Sequence, residues 1–176
     1  MRSIVKLNVL KWPDPVLRTR CKAVSVFDDD LEQLARNMIE TMRAEEAVGL
    51  SANQVGDLRR VAVIEVPRIL GDQSESYHDI PIVLINPVLF EAETHAMSRE
   101  GCLSLPEVID VVKRFDKVTV RYQNLSGEQK EIKATGLMAA CLQHEIDHLD
   151  GKTLVEKASK IKREMIIKRL KKTGNL

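Results

Sequence analysis

A chain of 176 residues with 44% hydrophobic side chains can bury one substantial core, so a single domain over residues 1–176 is expected. Its 27 basic and 26 acidic residues leave a formal charge of +1, so overall charge points to no DNA or other polyanionic partner, and any electrostatic targeting must come from local clustering. No stretch approaches the roughly 20 apolar residues that span a bilayer, and three widely spaced cysteines without Cys-x-x-Cys argue against a disulfide scaffold; a cytoplasmic protein with no membrane partner is expected.

Residues 1–27 read as an extended arm, because Pro13 and Pro15 bracket Asp14 and discourage helix. Asp28, Asp29 and Asp30 then open a helix, their charges suiting its cap and positive dipole end. Leu31, Leu34, Ala35, Met38 and Met42 follow at helical spacing, which makes this a packing helix. The next segment, from Ala47 to Gly56, is rich in small residues and holds one large amide, Gln54, among apolar neighbours. Small residues permit close approach of backbone to a ligand or strand, although a helix-to-strand turn explains the segment equally well.

Residues 61–66 predict a buried strand, and 67–79, polar with Gly71, an exposed loop. Short strands are predicted at 82–85 and 88–90 around Asn86-Pro87. Residues 91–99 are polar again, and Glu100-Gly101-Cys102-Leu103-Ser104-Leu105-Pro106 is a loop-like stretch holding a cysteine. Residues 118–122 and 130–133 alternate polar and apolar across a turn at 124–127, a hairpin signal. A helix is predicted over 136–150, with Thr135 as cap and Gly151 as stop. A last helix over 158–172 carries seven basic residues and one acid, Glu164.

The 136–150 helix contains His144-Glu145-Ile146-Asp147-His148. About 100° of rotation per residue puts the two imidazoles on one face, a turn apart, able to reach one ion. Glu145 beside them can handle a proton on metal-activated water. A solvated helix that happens to hold two histidines is the bland alternative. A catalytic metal usually has three protein ligands and an open position. Cys141 shares the helix face, but a metal between the histidines lies about five residues further along, roughly 7–8 Å at 1.5 Å rise per residue, beyond its reach. Cys141 is better placed as a small pocket-lining residue. Cys102, in a separate glycine-flanked stretch, has no such restriction, and a metal there would itself lower the thiol pKa; an isolated cysteine is also often an inert buried side chain.

Three stretches taken together resemble the peptide deformylase family. Ala47-Val48-Gly49-Leu50-Ser51-Ala52-Asn53-Gln54 is similar to its Gly-x-Gly-Leu-Ala-Ala-x-Gln; Glu100 to Ser104 matches Glu-Gly-Cys-Leu-Ser, and Gln143 to His148 matches Gln-His-Glu-x-x-His in full. The resemblance implies an α+β fold, antiparallel β-sheets packed around a central metal-binding helix, with a C-terminal helix. It implies removal of the N-formyl group from the initiator methionine of new peptides, releasing formate. Cys102, His144 and His148 would hold one divalent ion per chain, Fe2+ physiologically, with Zn2+, Ni2+ or Co2+ able to take the same site. Metal-activated hydroxide would attack the formyl carbon while Glu145 accepts a proton and returns it to the departing amine. The side-chain amide of Gln54 and the backbone N–H of Leu103 would face the oxyanion. Gly49 and Gly101 would let the peptide backbone lie close, and Val48, Leu137 and Cys141 would wall the methionine side chain.

Three departures from the family pattern stand out: Ala47 for glycine, Ser51 for alanine, and Ile109 near a position where many bacterial relatives carry arginine. They motivate an alternative, a deformylase-like hydrolase with a different acyl or peptide preference. A non-catalytic peptide- or ribosome-binding relative is disfavoured by the presence of every expected ligand and of Glu145. An unrelated zinc endopeptidase would not need the Glu-Gly-Cys-Leu-Ser stretch. The basic C-terminal helix is either a solvated face or a ribosome contact attracted by RNA phosphates.

Overall fold

The computed structural model describes residues 3–67 and 80–174; the expected loop at 67–79 lies, except for Pro67, outside the described residues. Helix α1 spans Asp29–Ala44. The Asp28 side chain accepts a hydrogen bond from the Leu31 N–H at 2.9 Å, satisfying one of the unpaired N–H groups at the helix start. Its expected apolar stripe, Leu31, Leu34, Ala35, Met38 and Met42, is buried throughout. Among the described residues the preceding arm has a 3-10 turn at Pro15–Arg18, capped by Asp14, and a single bridge from Lys22 to Arg59.

Among the described residues five strands follow: β1 (Gly49–Ser51), β2 (Val61–Ile64), β3 (Ile82–Cys102), β4 (Leu105–Gln123) and β5 (Gln129–Thr135). They pair in sequence order into one antiparallel sheet. Helix α2 (Gly136–Leu149) lies against it and touches every strand. Strand β2 is buried on both faces. Ala62 and Ile64 pack with Met138, Cys141, Leu142 and Ile146 of α2. Val61 and Val63 pack with Leu31, Leu34, Met38 and Met42 of α1. This explains why β2 reads as an unbroken apolar run. The fold is α+β, as expected.

The strands at 82–85 and 88–90 prove to be the start of a 21-residue strand, and the stretch at 100–106 is not a loop. Strand β3 runs on through Cys102, two residues turn, and β4 begins at Leu105. Much of 91–99 is exposed on both faces of the hairpin, so no hydrophobic alternation marks it as strand. The ladder slips between Ile85 and Val88, where Pro87 has no N–H to contribute. The hairpin between β4 and β5 forms as predicted, with Val120 opposite Ile132. Gly151 ends the α2 region at φ +73°; a Cβ there would come within 2.6 Å of the Arg18 carbonyl oxygen, so the position demands glycine.

A one-turn helix, α3 (Leu154–Lys157), adds to the elements expected from the sequence and precedes α4 (Lys160–Lys172), which starts two residues later than expected. Ile166 and Leu170 of α4 cover Leu105, Val108 and Val112 of β4. Among the described residues no helix is long and apolar enough to cross a membrane.

Candidate active site

Strand β3 and helix α2 bring three donors together. Cys102 ends β3, and His144 and His148 stand one turn apart on α2. Their ligand atoms all lie within 4.8 Å of one another. His148 Nε2 is 3.2 Å from Cys102 Sγ and 3.2 Å from His144 Nε2. A tetrahedral ion with bonds of about 2.0–2.3 Å would separate such donors by about 3.3–3.6 Å, so the spacing and the chemistry of the set fit a divalent metal. Cys141 is not in the group; its thiol points to the Val48 carbonyl oxygen at 3.6 Å.

An unpredicted charge network stands behind the histidines. His144 Nδ1 is 2.9 Å from Glu100 Oε2, which leaves Nε2 free for an ion. Arg114 grips Glu100 with two hydrogen bonds, Nε to Oε1 and Nη2 to Oε2, both 2.8 Å. Its Nη1 donates to Asp147, which also accepts from Lys157 Nζ. Burial alone would raise the Glu100 pKa, but Arg114 and His144 outweigh it and hold the carboxyl at about 2. Glu100 and Asp147 sit inside the two motifs, so proximity to the ligands could have flagged them. Arg114 carries no sequence signal, because only the hairpin's return brings it beside Glu100.

Burial likewise works to raise the Cys102 thiol, yet His148 and His144 hold it well below its ordinary value. Burial, with Glu145 and Glu100 adding to it, pushes the Cys141 thiol well above. Burial also raises the Glu145 carboxyl against the pull of both imidazoles, and its Oε2 is buried with no hydrogen-bond partner. A Cβ on Gly49 would sit 2.4 Å from Glu145 Oε1 and 3.0 Å from Cys141 Sγ. Glycine at this position is therefore room for the carboxylate.

A cleft of about 520 Å³ opens in front of the donors. Every site residue expected from the sequence lines it except His148, which is buried behind: Val48, Gly49, Gln54, Gly101, Cys102, Leu103, Leu137, Cys141, His144 and Glu145 all border it. Ile109 is exposed on its rim, opposite Gly101 in the ladder. The N-terminal arm contributes too, since Lys11 Nζ donates to the Leu103 carbonyl at 2.7 Å and the Trp12 backbone N–H to the Ser104 carbonyl at 2.9 Å.

A sequence model of the polypeptide deformylase family matches residues 6–164. The chain belongs to this family. The peptide deformylase of Bartonella tribocorum is 44% identical over 173 residues, 98% of this chain and 92% of that protein. The crystal structure of peptide deformylase from Ehrlichia chaffeensis superposes with a TM-score of 0.90 at 36% identity, covering 97% of each chain. A class I type b peptide deformylase from Acinetobacter baumannii, crystallised with Met-Ala-Ser bound, gives a TM-score of 0.80 at 31% identity over 89% of this chain and 100% of that one. Membership makes the protein a hydrolase, and family and fold together support removal of the N-formyl group from nascent peptides as a deformylase performs it.

Proposed function

We propose that residues 1–176 act as one catalytic domain that hydrolyses the formyl amide at the N-terminal methionine of new peptides, releasing formate and a free amine. The observation that carries this reading is the convergence of Cys102, His144 and His148 beside a buried, unpartnered Glu145 oxygen, at the wall of a cleft. Cys102, His144 and His148 would hold a divalent ion, which would supply the Lewis acidity that makes water a nucleophile at neutral pH. Iron(II) is the physiological ion in this reading, with zinc, nickel or cobalt able to substitute.

Glu145 takes the proton of the attacking water and delivers it to the leaving amine nitrogen as the C–N bond breaks. Burial favours this by keeping its pKa raised, closer to the working pH. Gln54 Nε2 and the Leu103 N–H donate to the formyl oxygen as charge gathers there. Gly49 and Gly101 admit the peptide backbone, while Val48, Leu137 and Cys141 enclose the methionine side chain. The Met-Ala-Ser bound by the Acinetobacter baumannii relative is a peptide of the chemistry this reading expects as product. The protein works in the cytoplasm, and the outward lysines of α4 meet ribosomal RNA near emerging chains.

The test is formate release from formyl-Met-Ala-Ser by anaerobically iron-loaded protein, with metal-stripped protein in parallel. Activity that follows the metal is expected. No formate from the loaded protein would overturn the reading.

A further inference from the structure

The Gln54 side chain is held in one orientation from behind. Its Oε1 accepts from the Ser51 N–H at 3.0 Å and lies 2.9 Å from the Ser51 hydroxyl. A backbone N–H can only donate, so the atom facing it is the amide oxygen, and Nε2 must turn the other way. Nε2 accordingly reaches Ser104 Oγ at 3.1 Å and Cys102 Sγ at 3.6 Å, towards the cleft. The Ser51 hydroxyl is also 3.0 Å from Asn53 Oδ1, and Asn53 Nδ2 donates to the His148 carbonyl at 2.6 Å. Ser51 and Asn53 are wholly buried, and Gln54 is 2% exposed, so no water competes for these contacts. The hydroxyl has one proton to give; the Gln54 amide oxygen, at 2.9 Å, is the nearer of the two amide oxygens, and the Glu145 carboxylate also lies beside it.

We infer that Ser51 is a positioning residue: its hydroxyl donates its one proton to the Gln54 amide oxygen, a second anchor beside the Ser51 N–H, and so helps present Nε2 to the reacting carbonyl. The inference rests on the proposed role of Gln54 as an oxyanion donor. With the hydroxyl removed, the backbone N–H at position 51 still fixes which way the amide faces, but the second anchor is gone. The amide then gains freedom to swing, and the loss falls on the transition state rather than on peptide binding.

The experiment is a double-mutant cycle on metal-loaded protein, with kcat and KM for formyl-Met-Ala-Ser and thermal midpoints for wild type, Ser51→Ala, Gln54→Ala and the double variant. Ser51→Ala is expected to lower kcat about 3- to 10-fold, the worth of one hydrogen bond, with KM unchanged. In the Gln54→Ala background the same substitution is expected to have no further effect on kcat, because the group it orients is gone. An equal fall in both backgrounds, or no fall in either, would overturn the inference while leaving the functional reading intact. A Gln54→Ala variant as active as wild type would overturn the oxyanion role and this inference with it. A purely structural role for Ser51 would lower the thermal midpoint and kcat alike in both backgrounds, which also overturns the inference.

Discussion

Replacing Arg114 with methionine keeps much of the side chain's apolar stem and removes its charge. Arg114 is 4% exposed and spends two N–H groups on Glu100 and one on Asp147. The variant leaves the Glu100 carboxylate buried with only His144 beside it. Breaking a buried pair by removing one partner costs about 3–5 kcal/mol. For a chain of this size each 1 kcal/mol moves the thermal midpoint by about 2–4 °C, so a fall of roughly 6–20 °C is expected in calorimetry at pH 7. The sign of the pH dependence follows from Glu100. Its folded pKa is held at about 2, below its ordinary 4.5, so its stabilisation is complete above the ordinary value. That stabilisation is lost as pH falls towards the folded value. The gap between wild type and Arg114→Met should therefore be full at pH 6 and narrow between about pH 4.5 and 2. A fall under about 2 °C at pH 7, or a gap that widens in acid, would refute the reasoning.

Gly49→Ala forces the Glu145 carboxylate off its position, since the new Cβ would lie 2.4 Å from Oε1; steady-state assays should show kcat reduced at least about 100-fold, the scale of a misplaced general base. Iodoacetamide labelling of metal-stripped protein at pH 7, read by mass spectrometry, should modify Cys102 first. Burial pushes Cys21 up to about 11 and Cys141 well above its ordinary value, so both should lag, and metal loading should protect Cys102. Charge reversal at the exposed Lys168, Lys171 and Lys172 should weaken ribosome co-sedimentation, most at low salt and less as salt rises, without moving the thermal midpoint. Deleting α4 is the poorer test, because losing Ile166 and Leu170 uncovers Leu105, Val108 and Val112 and should destabilise the strand behind the cleft.

The histidine pair is legible in the sequence because its geometry is local, whereas Cys102 and the cleft walls are legible only through the resemblance of three separated stretches to a family pattern. His144 and His148 share a helix face by rotation alone, and helix rise alone removes Cys141 from the donor set; its thiol indeed turns to Val48. Residues whose role depends on tertiary return are not legible. Arg114 is 14 positions from Glu100 along the chain and meets it only because β3 and β4 form one long hairpin. That hairpin is itself hidden, since residues 91–99 are largely solvent-exposed and obey no apolar period. Ser51 stands out in the sequence only as a departure from a family pattern; its contact with the Gln54 amide oxygen gives the hydroxyl a physical reason. Gly49 is expected to make room for peptide backbone; that a Cβ there would also meet the Glu145 carboxylate is seen only in the fold.

The central claim is that Glu145 moves the proton at a metal held by Cys102, His144 and His148. Its most direct test measures metal content and formate release on the same preparations of wild type and Glu145→Ala. The account predicts one divalent ion per chain in both, with formate release from formyl-Met-Ala-Ser slowed at least about 100-fold in the variant. A variant that keeps its metal and hydrolyses the peptide at the wild-type rate would contradict it.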